Sequence, residues 1–231
     1  MVSLRRWLDG RLERRATAVP TVGLSTDDRL ALARLHGDFS LAYSTAVQDD
    51  LSCFGEKNGY IAFGYRMTGI FALGEPVAEA QQRARLIGDF VREADGPTFV
   101  QVGEETARTL AGLGYRVNRM GIDTRIALSP SMFAGRRNET VRYSERWLLK
   151  NGYALVEADG SRDLSAELHA LSERWRAERV VKKREMRFLN RPFAAVPGPG
   201  MRRFLLISPQ GEAVALLDLD PIQRDGDAIG D

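Results

Sequence analysis

The sequence predicts a mixed α/β (α+β) chain in which one order of elements is stated once and then begun again. Three observations carry this reading. Three short apolar runs, Leu51–Phe54, Tyr60–Tyr65 and Ile70–Leu73, follow one another with turn-length gaps. Longer helical stretches then alternate with a fourth run, as crossover helices do. After residue 138 a helix, a strand, a second helix and a strand hairpin follow in similar order. The expected division is a basic amphipathic segment over residues 1–24, a first unit over 25–130, and a linker helix with a second unit over 131–231. The second unit lacks the later elements of the first, so it is expected to be incomplete.

Each element has a local reason. Residues 4–15 place Leu4, Trp7, Leu8 and Leu12 on one helical face among Arg5, Arg6, Arg11, Arg14 and Arg15. That face suits either the protein's own core or a peripheral membrane contact. Pro20 and Gly23 end it. Ser25-Thr26-Asp27 supplies capping residues for a helix that carries Leu30, Leu32 and Leu35 and stops near Gly37. The strand turns are Glu56-Lys57-Asn58-Gly59 and Thr68-Gly69. A helix over Val77–Glu93, a strand over Thr98–Val102, a helix over Glu104–Leu113 stopped by Gly114, and strands Tyr115–Asn118 and Ile122–Ala127 complete the first unit. In the second, a helix over 138–151 stops at Gly152. Strand Tyr153–Glu157 and helix Leu164–Arg179 follow. A basic helical segment is expected up to Phe188, then a Val196–Gly200 loop, then strands Arg203–Ile207 and Ala213–Leu219 around Ser208-Pro-Gln-Gly211.

Composition bounds the function. The 231 residues are 44% hydrophobic and 28% charged, ordinary for a globular chain. No apolar run approaches the roughly 20 residues of a membrane span, and there is no apolar signal core, so a cytoplasmic location is expected. Cys53 is the single cysteine, which excludes an internal disulfide. His36 and His169 are far apart, so no metal-site spacing is present. Net charge is +2 but uneven: about zero over 1–130, about +7 over 131–204 and about −5 over 205–231.

The densest chemistry lies in Phe133-Ala-Gly-Arg-Arg-Asn-Glu-Thr-Val-Arg142, which continues through Arg146 and Lys150 to Gly152. Arg142, Arg146 and Lys150 recur every four residues and stack on one helical face, where like charges repel. Phosphates, lipid headgroups or an acidic surface would compensate them. Arg136, Arg137, Arg142, Arg146 and Lys150 are therefore candidate phosphate contacts through charge-assisted hydrogen bonds. Lys182, Lys183 and Arg184 form a second cationic group, for which a solvated surface is the plain alternative. Glu185 suits a substrate ammonium or a pair with Arg184 or Arg187. Asp218 and Asp220 alternate with Leu217 and Leu219, which puts both carboxylates on one side of a strand, as a polar site or an exposed sheet face.

Several ordered pieces resemble one family. Phe63-Gly-Tyr65 and Leu73-Gly-Glu-Pro-Val77 are similar to its strand and Gly-Asp-Pro turn, with Glu75 replacing the aspartate. Met120-Gly-Ile-Asp123 precedes Phe133-Ala-Gly-Arg-Arg137, which resembles a Phe…Gly-Lys-Lys segment, and Arg142 and Gly152 follow. Trp175, Glu185, Phe188 and Arg191-Pro192 look like its Trp…Glu-x-x-Phe-x-x-Arg-Pro pattern, and Asp220-Pro221 is similar to a later strand end. The family is the soluble C-terminal catalytic domain of bacterial phosphatidylglycerol lysyltransferases and their stand-alone relatives.

The resemblance implies a tandem acetyltransferase-like (GNAT-like) fold. It also implies aminoacyl transfer from charged tRNA to a lipid or other small acceptor, with a charged tRNA and an anionic lipid as partners and an oligomer allowed. In such a transfer Lys182, Lys183, Glu185, Asp218 and Asp220 are the candidate catalytic residues. Arg136, Arg137, Arg142, Arg146, Lys150 and Arg184 are the candidate tRNA contacts. Cations near the ester carbonyl would stabilise its oxyanion.

No cofactor is expected. The turn that would cradle a coenzyme A pyrophosphate reads Gly74-Glu75-Pro76, where Glu75 repels phosphate and Pro76 lacks an N–H. No P-loop, dinucleotide fingerprint or serine-hydrolase elbow occurs. Two rivals stay open: an acyl-coenzyme A N-acyltransferase, and an inactive chain that keeps only polyanion or membrane-surface binding.

Overall fold

The computed structural model describes residues 18–66, 69–127, 129, 133–158, 163–178, 188 and 191–230. The expected helix over 4–15 and the basic segment over 179–187 lie outside the described residues. Two compact units result. One is built from the described residues of Met1–Arg119, Glu185–Pro192 and Asp220–Asp231, the other from those of Met120–Arg184 and Phe193–Leu219.

In the first unit α1 (Thr26–His36) opens with a capping box. The Asp28 N–H donates to Ser25 Oγ at 3.1 Å, and the Ser25 N–H donates to the Asp28 carboxylate at 2.9 Å. A short helix, α2 (Ala42–Val47), follows. Strands β1 (Ser52–Glu56), β2 (Gly59–Arg66) and β3 (Gly69–Leu73) pair antiparallel in sequence order. Helix α3 (Ala80–Glu93) crosses to β4 (Thr98–Val100), which pairs parallel to β3, and α4 (Glu104–Gly112) ends the run.

Side chains alternate across this sheet with period two. Phe54, Ile61, Phe63, Ile70 and Ala72 form one buried cluster with Leu86, Ile87 and Phe90 of α3. The Phe90 ring lies 5.2 Å from Phe54, 5.4 Å from Phe63 and 5.7 Å from Phe99. Cys53, Tyr60, Ala62 and Leu73 belong to a second cluster with Leu32 of α1, Val77 and Phe188. Because both faces are covered, the strands read as near-continuous apolar runs. Each fully buried Phe contributes about 1.5–3 kcal/mol.

The helix expected from Val77 starts at Ala80 instead. Val77 exchanges two backbone hydrogen bonds with Tyr60 (2.9 and 3.0 Å), and this bridge holds it extended. The strands expected at Tyr115–Asn118 and Ile122–Ala127 are corrected: residues 115–127 hold no strand. Tyr115 packs on Phe99, and the chain then runs exposed, with Met120 at 92% and Ile122 at 76% of full exposure. Apolar alternation without a hydrogen-bonding neighbour does not make a strand.

Two elements were not expected, α2 and a hairpin of β8 (Ile222–Arg224) and β9 (Asp227–Gly230). Asp225 and Gly226 turn the hairpin with φ of 52° and 87°, the backbone a tight Asp-Gly turn requires. The hairpin belongs to the first unit and finishes α1. Gln223, Asp225 and Gly226 donate backbone N–H groups to the Gly37, Leu35 and Arg34 carbonyls, and Arg83 takes the His36 carbonyl at 2.8 Å. The carbonyls a helix leaves open at its C-terminus are thereby satisfied from distant chain.

In the second unit a 3₁₀ turn (Arg136–Asn138) leads into α5 (Glu139–Lys150). Gly152 closes α5 with φ of 78°, and Tyr153 N–H reaches back to the Leu148 carbonyl at 3.0 Å. Strands β5 (Ala154–Glu157), β6 (Arg202–Ile207) and β7 (Ala213–Leu219) form an antiparallel sheet in that order. Helix α6 (Ser165–Glu178) lays Leu168 on Leu205 and Ala213, and Glu167 accepts the Ala213 N–H at 2.6 Å.

Candidate functional site

The cationic element of the second unit is built from its turn outward. Gly135 enters the 3₁₀ turn with φ of 81°, and Asn138 donates to the Ala134 carbonyl. Arg142 donates to the Phe133 carbonyl and, at 2.8 Å, to the Gly135 carbonyl. One turn into the helix, it therefore fixes the entry loop while keeping its charge. Arg136, Arg137, Arg146 and Lys150 are exposed. Among the described residues they make no side-chain hydrogen bond or ion pair. No residue of α5 is buried. Glu139 in the first turn and Lys150 in the last complement the helix dipole. The element gathers five of the six predicted phosphate contacts. Arg184, Lys182, Lys183 and Glu185 lie outside the described residues.

Asp218 and Asp220, expected to share a strand, each hold an arginine. Asp218 on β7 stands opposite Arg203 on β6 and accepts from its Nε at 2.6 Å and its Nη2 at 2.8 Å. Arg203 is only 1% exposed; it also donates to the Ala194 and Ala195 carbonyls and lies over the Phe193 ring. Every guanidinium face is thus engaged, as a buried arginine requires. Asp220 belongs to the first unit, where Arg191 clasps it at 2.8 and 3.0 Å and Ser44 Oγ donates to it at 3.1 Å. The Arg191 guanidinium also sits over the Tyr43 ring. Period-two alternation places Asp218 and Asp220 together, but β7 ends at Leu219 and the two acids serve different units.

A second network in the first unit centres on Arg83. It bonds the Ala78 and His36 carbonyls, pairs with Asp38 at 2.7 Å and stands 3.8 Å from Glu75. Arg224 of β8 meets the same Asp38 at 2.6 Å. Half-burial pushes the Asp38 carboxyl up, but hydrogen bonds from Arg83 and Arg224 outweigh this and hold it below the usual carboxylate range. Glu75 accepts the Gly103 N–H at 2.5 Å, so the acid of the Gly74-Glu75-Pro76 turn caps the start of α4. Glycine at 103 leaves the room: a Cβ there would collide with the Glu75 carboxylate. Burial pushes the Cys53 thiol up, with Arg29 opposing, which makes it a poor nucleophile.

Arg83 and Arg203 were not among the expected site residues, and Arg191 was expected only as part of the family-like Arg-Pro pattern. The available signal was position: Arg203 sits at an inward register of an apolar strand, in line with Leu205. Among the described residues no group of His, Cys, Asp or Glu has the arrangement of a metal site, and no helix is long and apolar enough to cross a membrane.

Residues 29–229 match the family described as phosphatidylglycerol lysyltransferase, C-terminal, and the chain belongs to that family. Solved structures agree on the fold. L-PGS from Bacillus licheniformis superposes on 90% of this chain with a TM-score of 0.75 at 22% identity. The C-terminal domain assigned to a lysylphosphatidylglycerol synthetase of Agrobacterium fabrum superposes on 87% with a TM-score of 0.67 at 18% identity. This chain spans 66% and 64% of those two chains, a little under two thirds of each. No curated protein matches it. At these identities the neighbours speak to architecture, which is the GNAT-like fold of the lysyltransferase catalytic domain.

Proposed function

We propose that the chain serves aminoacyl transfer from charged tRNA to a lipid or other small acceptor at the cytoplasmic face of a membrane. The observation that carries this reading is the row of α5 with its entry turn. Arg136, Arg137, Arg146 and Lys150 stand exposed without a carboxylate partner among the described residues, beside Arg142, which organises the loop. Uncompensated like charges at i, i+4 cost about 0.2–0.5 kcal/mol per pair. A phosphate backbone converts that cost into affinity.

In the proposed reaction an acceptor hydroxyl oxygen attacks the carbonyl carbon of the aminoacyl ester. The tetrahedral intermediate collapses by releasing the terminal tRNA hydroxyl, which takes up the proton lost by the acceptor. Nothing is oxidised or reduced. Positioning supplies much of the rate, because the donor ester is already activated. Lys182 and Lys183 are proposed to face the oxyanion and Glu185 the donor's ammonium. Asp218 and Asp220 are proposed to act through the arginines they hold.

One observation favours the plainer rival, a polyanion-binding chain without transfer: both strand acids are already engaged by arginine. A single experiment separates the two. Labelled aminoacyl-tRNA is incubated with the chain and phosphatidylglycerol vesicles, and tRNA binding is titrated in parallel. Transfer reading: label appears in lipid, and Arg136→Glu with Arg146→Glu suppresses both binding and transfer. Rival reading: binding occurs without labelled lipid. Equal tRNA binding by the parent and the charge-reversed variant would remove both.

A further inference from the structure

We infer that α5 is also an interfacial helix, whose apolar side enters the headgroup boundary of an anionic bilayer. This deepens the lipid-acceptor reading above and rests on it for the acceptor's class.

Contact with a phosphate backbone asks a helix for cations alone, whereas α5 carries a second feature. Val141, Tyr143, Trp147 and Leu148 fall on one side of the helix. Tyr143 is 59%, Val141 51% and Trp147 47% exposed. Between them an open groove of about 330 Å³ is lined by Tyr143, Ser144, Trp147 and Leu148. The Trp147 ring lies 6.1 Å from that of Tyr153, so two aromatic side chains with polar tips share this surface. Side chains of that kind settle at the level of lipid headgroups, with the ring body in hydrocarbon and the N–H or O–H in water.

Charge selects the occupant. Arg146 follows Tyr143 by three residues and Lys150 follows Trp147 by three, so each cation is the helical neighbour of an aromatic ring. Their long stems lie along the apolar side while the charged ends reach outward to lipid phosphates. With Arg136, Arg137 and Arg142 against Glu139 and Glu145, residues 136–150 carry a net charge of +3. A helix that borders an apolar stripe with cations binds anionic membranes in preference to neutral ones. The row is shared with the donor contact proposed above, but the stripe belongs to the lipid alone.

The test is co-sedimentation of the full chain with vesicles, either phosphatidylcholine alone or phosphatidylcholine with phosphatidylglycerol. The parent is compared with Tyr143→Ser/Trp147→Ser and with Arg146→Gln/Lys150→Gln. Thermal unfolding confirms that these exposed substitutions leave the fold intact. The parent is expected to bind the phosphatidylglycerol vesicles. The aromatic variant should lose at least about ten-fold in that affinity while holding tRNA as well as the parent does. The charge variant should lose its preference for anionic vesicles.

The inference is overturned if the aromatic variant sediments like the parent, which would assign membrane binding to another segment such as residues 4–15. It is overturned equally by indifference to phosphatidylglycerol, or by light scattering in which the aromatic substitutions dissolve a dimer of the chain. Vesicle binding without tRNA binding would leave this inference standing and remove the donor reading instead.

Discussion

In the first unit several arginines tie the fold together, while others such as Arg85 and Arg108 stay exposed in surface pairs. Arg83 joins two carbonyls to Asp38 and Glu75, Arg191 clasps Asp220, and Arg224 fixes the β8–β9 hairpin to Asp38. Its sheet is buried on both faces, and Phe63, Phe90 and Tyr60 are fully enclosed. In the second unit Arg203 is held in the same way, by Asp218 and two carbonyls. Yet α5 buries nothing, β5 is exposed along its length, and the cations of the α5 row face outward. A packed body can use charge to close its own loops, and an open one presents charge to something else. The difference is what supports the binding surface proposed for α5 in the second unit.

The contrast can be broken by substitution. Phe90→Ala should cost about 3–5 kcal/mol, because the ring is completely buried among Phe54, Phe63 and Phe99. Trp147→Ala should shift stability by no more than about 0.5 kcal/mol. Chemical denaturation of both reads the difference, and equal costs would erase the distinction between the units. Next in size, Asp218→Ala leaves Arg203 buried without its counter-ion and should cost about 3 kcal/mol, whereas Asp218→Leu with Arg203→Met should recover much of that. A double variant as unstable as the single one would show that the pair is not the hinge of local packing.

Asp38→Asn removes the anion that meets both Arg83 and Arg224 and should cost about 1.5–3 kcal/mol at neutral pH. The sign with pH follows from the depressed carboxyl. Its contribution is complete above the unfolded value near pH 4 and disappears as pH falls through the lower folded value. The gap between parent and variant in denaturant midpoint should therefore be constant from pH 8 to 5 and close below about pH 4. A gap that widened in acid would contradict the clasp. Smallest of all, Arg85→Ala, which breaks an exposed pair with Glu56, should change stability by less than about 1 kcal/mol.

Much of this was legible beforehand. The strands of the first sheet announce themselves through turns such as Glu56–Gly59, and the stop at Gly152 falls where the positive φ requires it. The cationic row is a matter of spacing alone. What escaped depends on distant partners. α2 has six residues and no side-chain cap, so it has too little period to read. The β8–β9 turn did carry a signal, Asp225-Gly226, but its role as the cap of α1 joins residues almost 200 apart in sequence. Residues 115–127 misled in the other direction, because alternation promised a strand that no neighbour completes. The strand acids failed to read as arginine-held groups for the same reason: period two says which side a carboxylate faces, not which guanidinium waits there.

The most direct test of the account is the salt dependence of tRNA binding by the parent and by Arg136→Glu/Arg146→Glu. The account predicts tight binding at low salt that weakens steeply as salt rises. The variant should bind more weakly and lose about one unit of logarithmic slope for each cation removed. Identical slopes and affinities for the two proteins would contradict it, because the outward cations of α5 would then be surface charge with no partner.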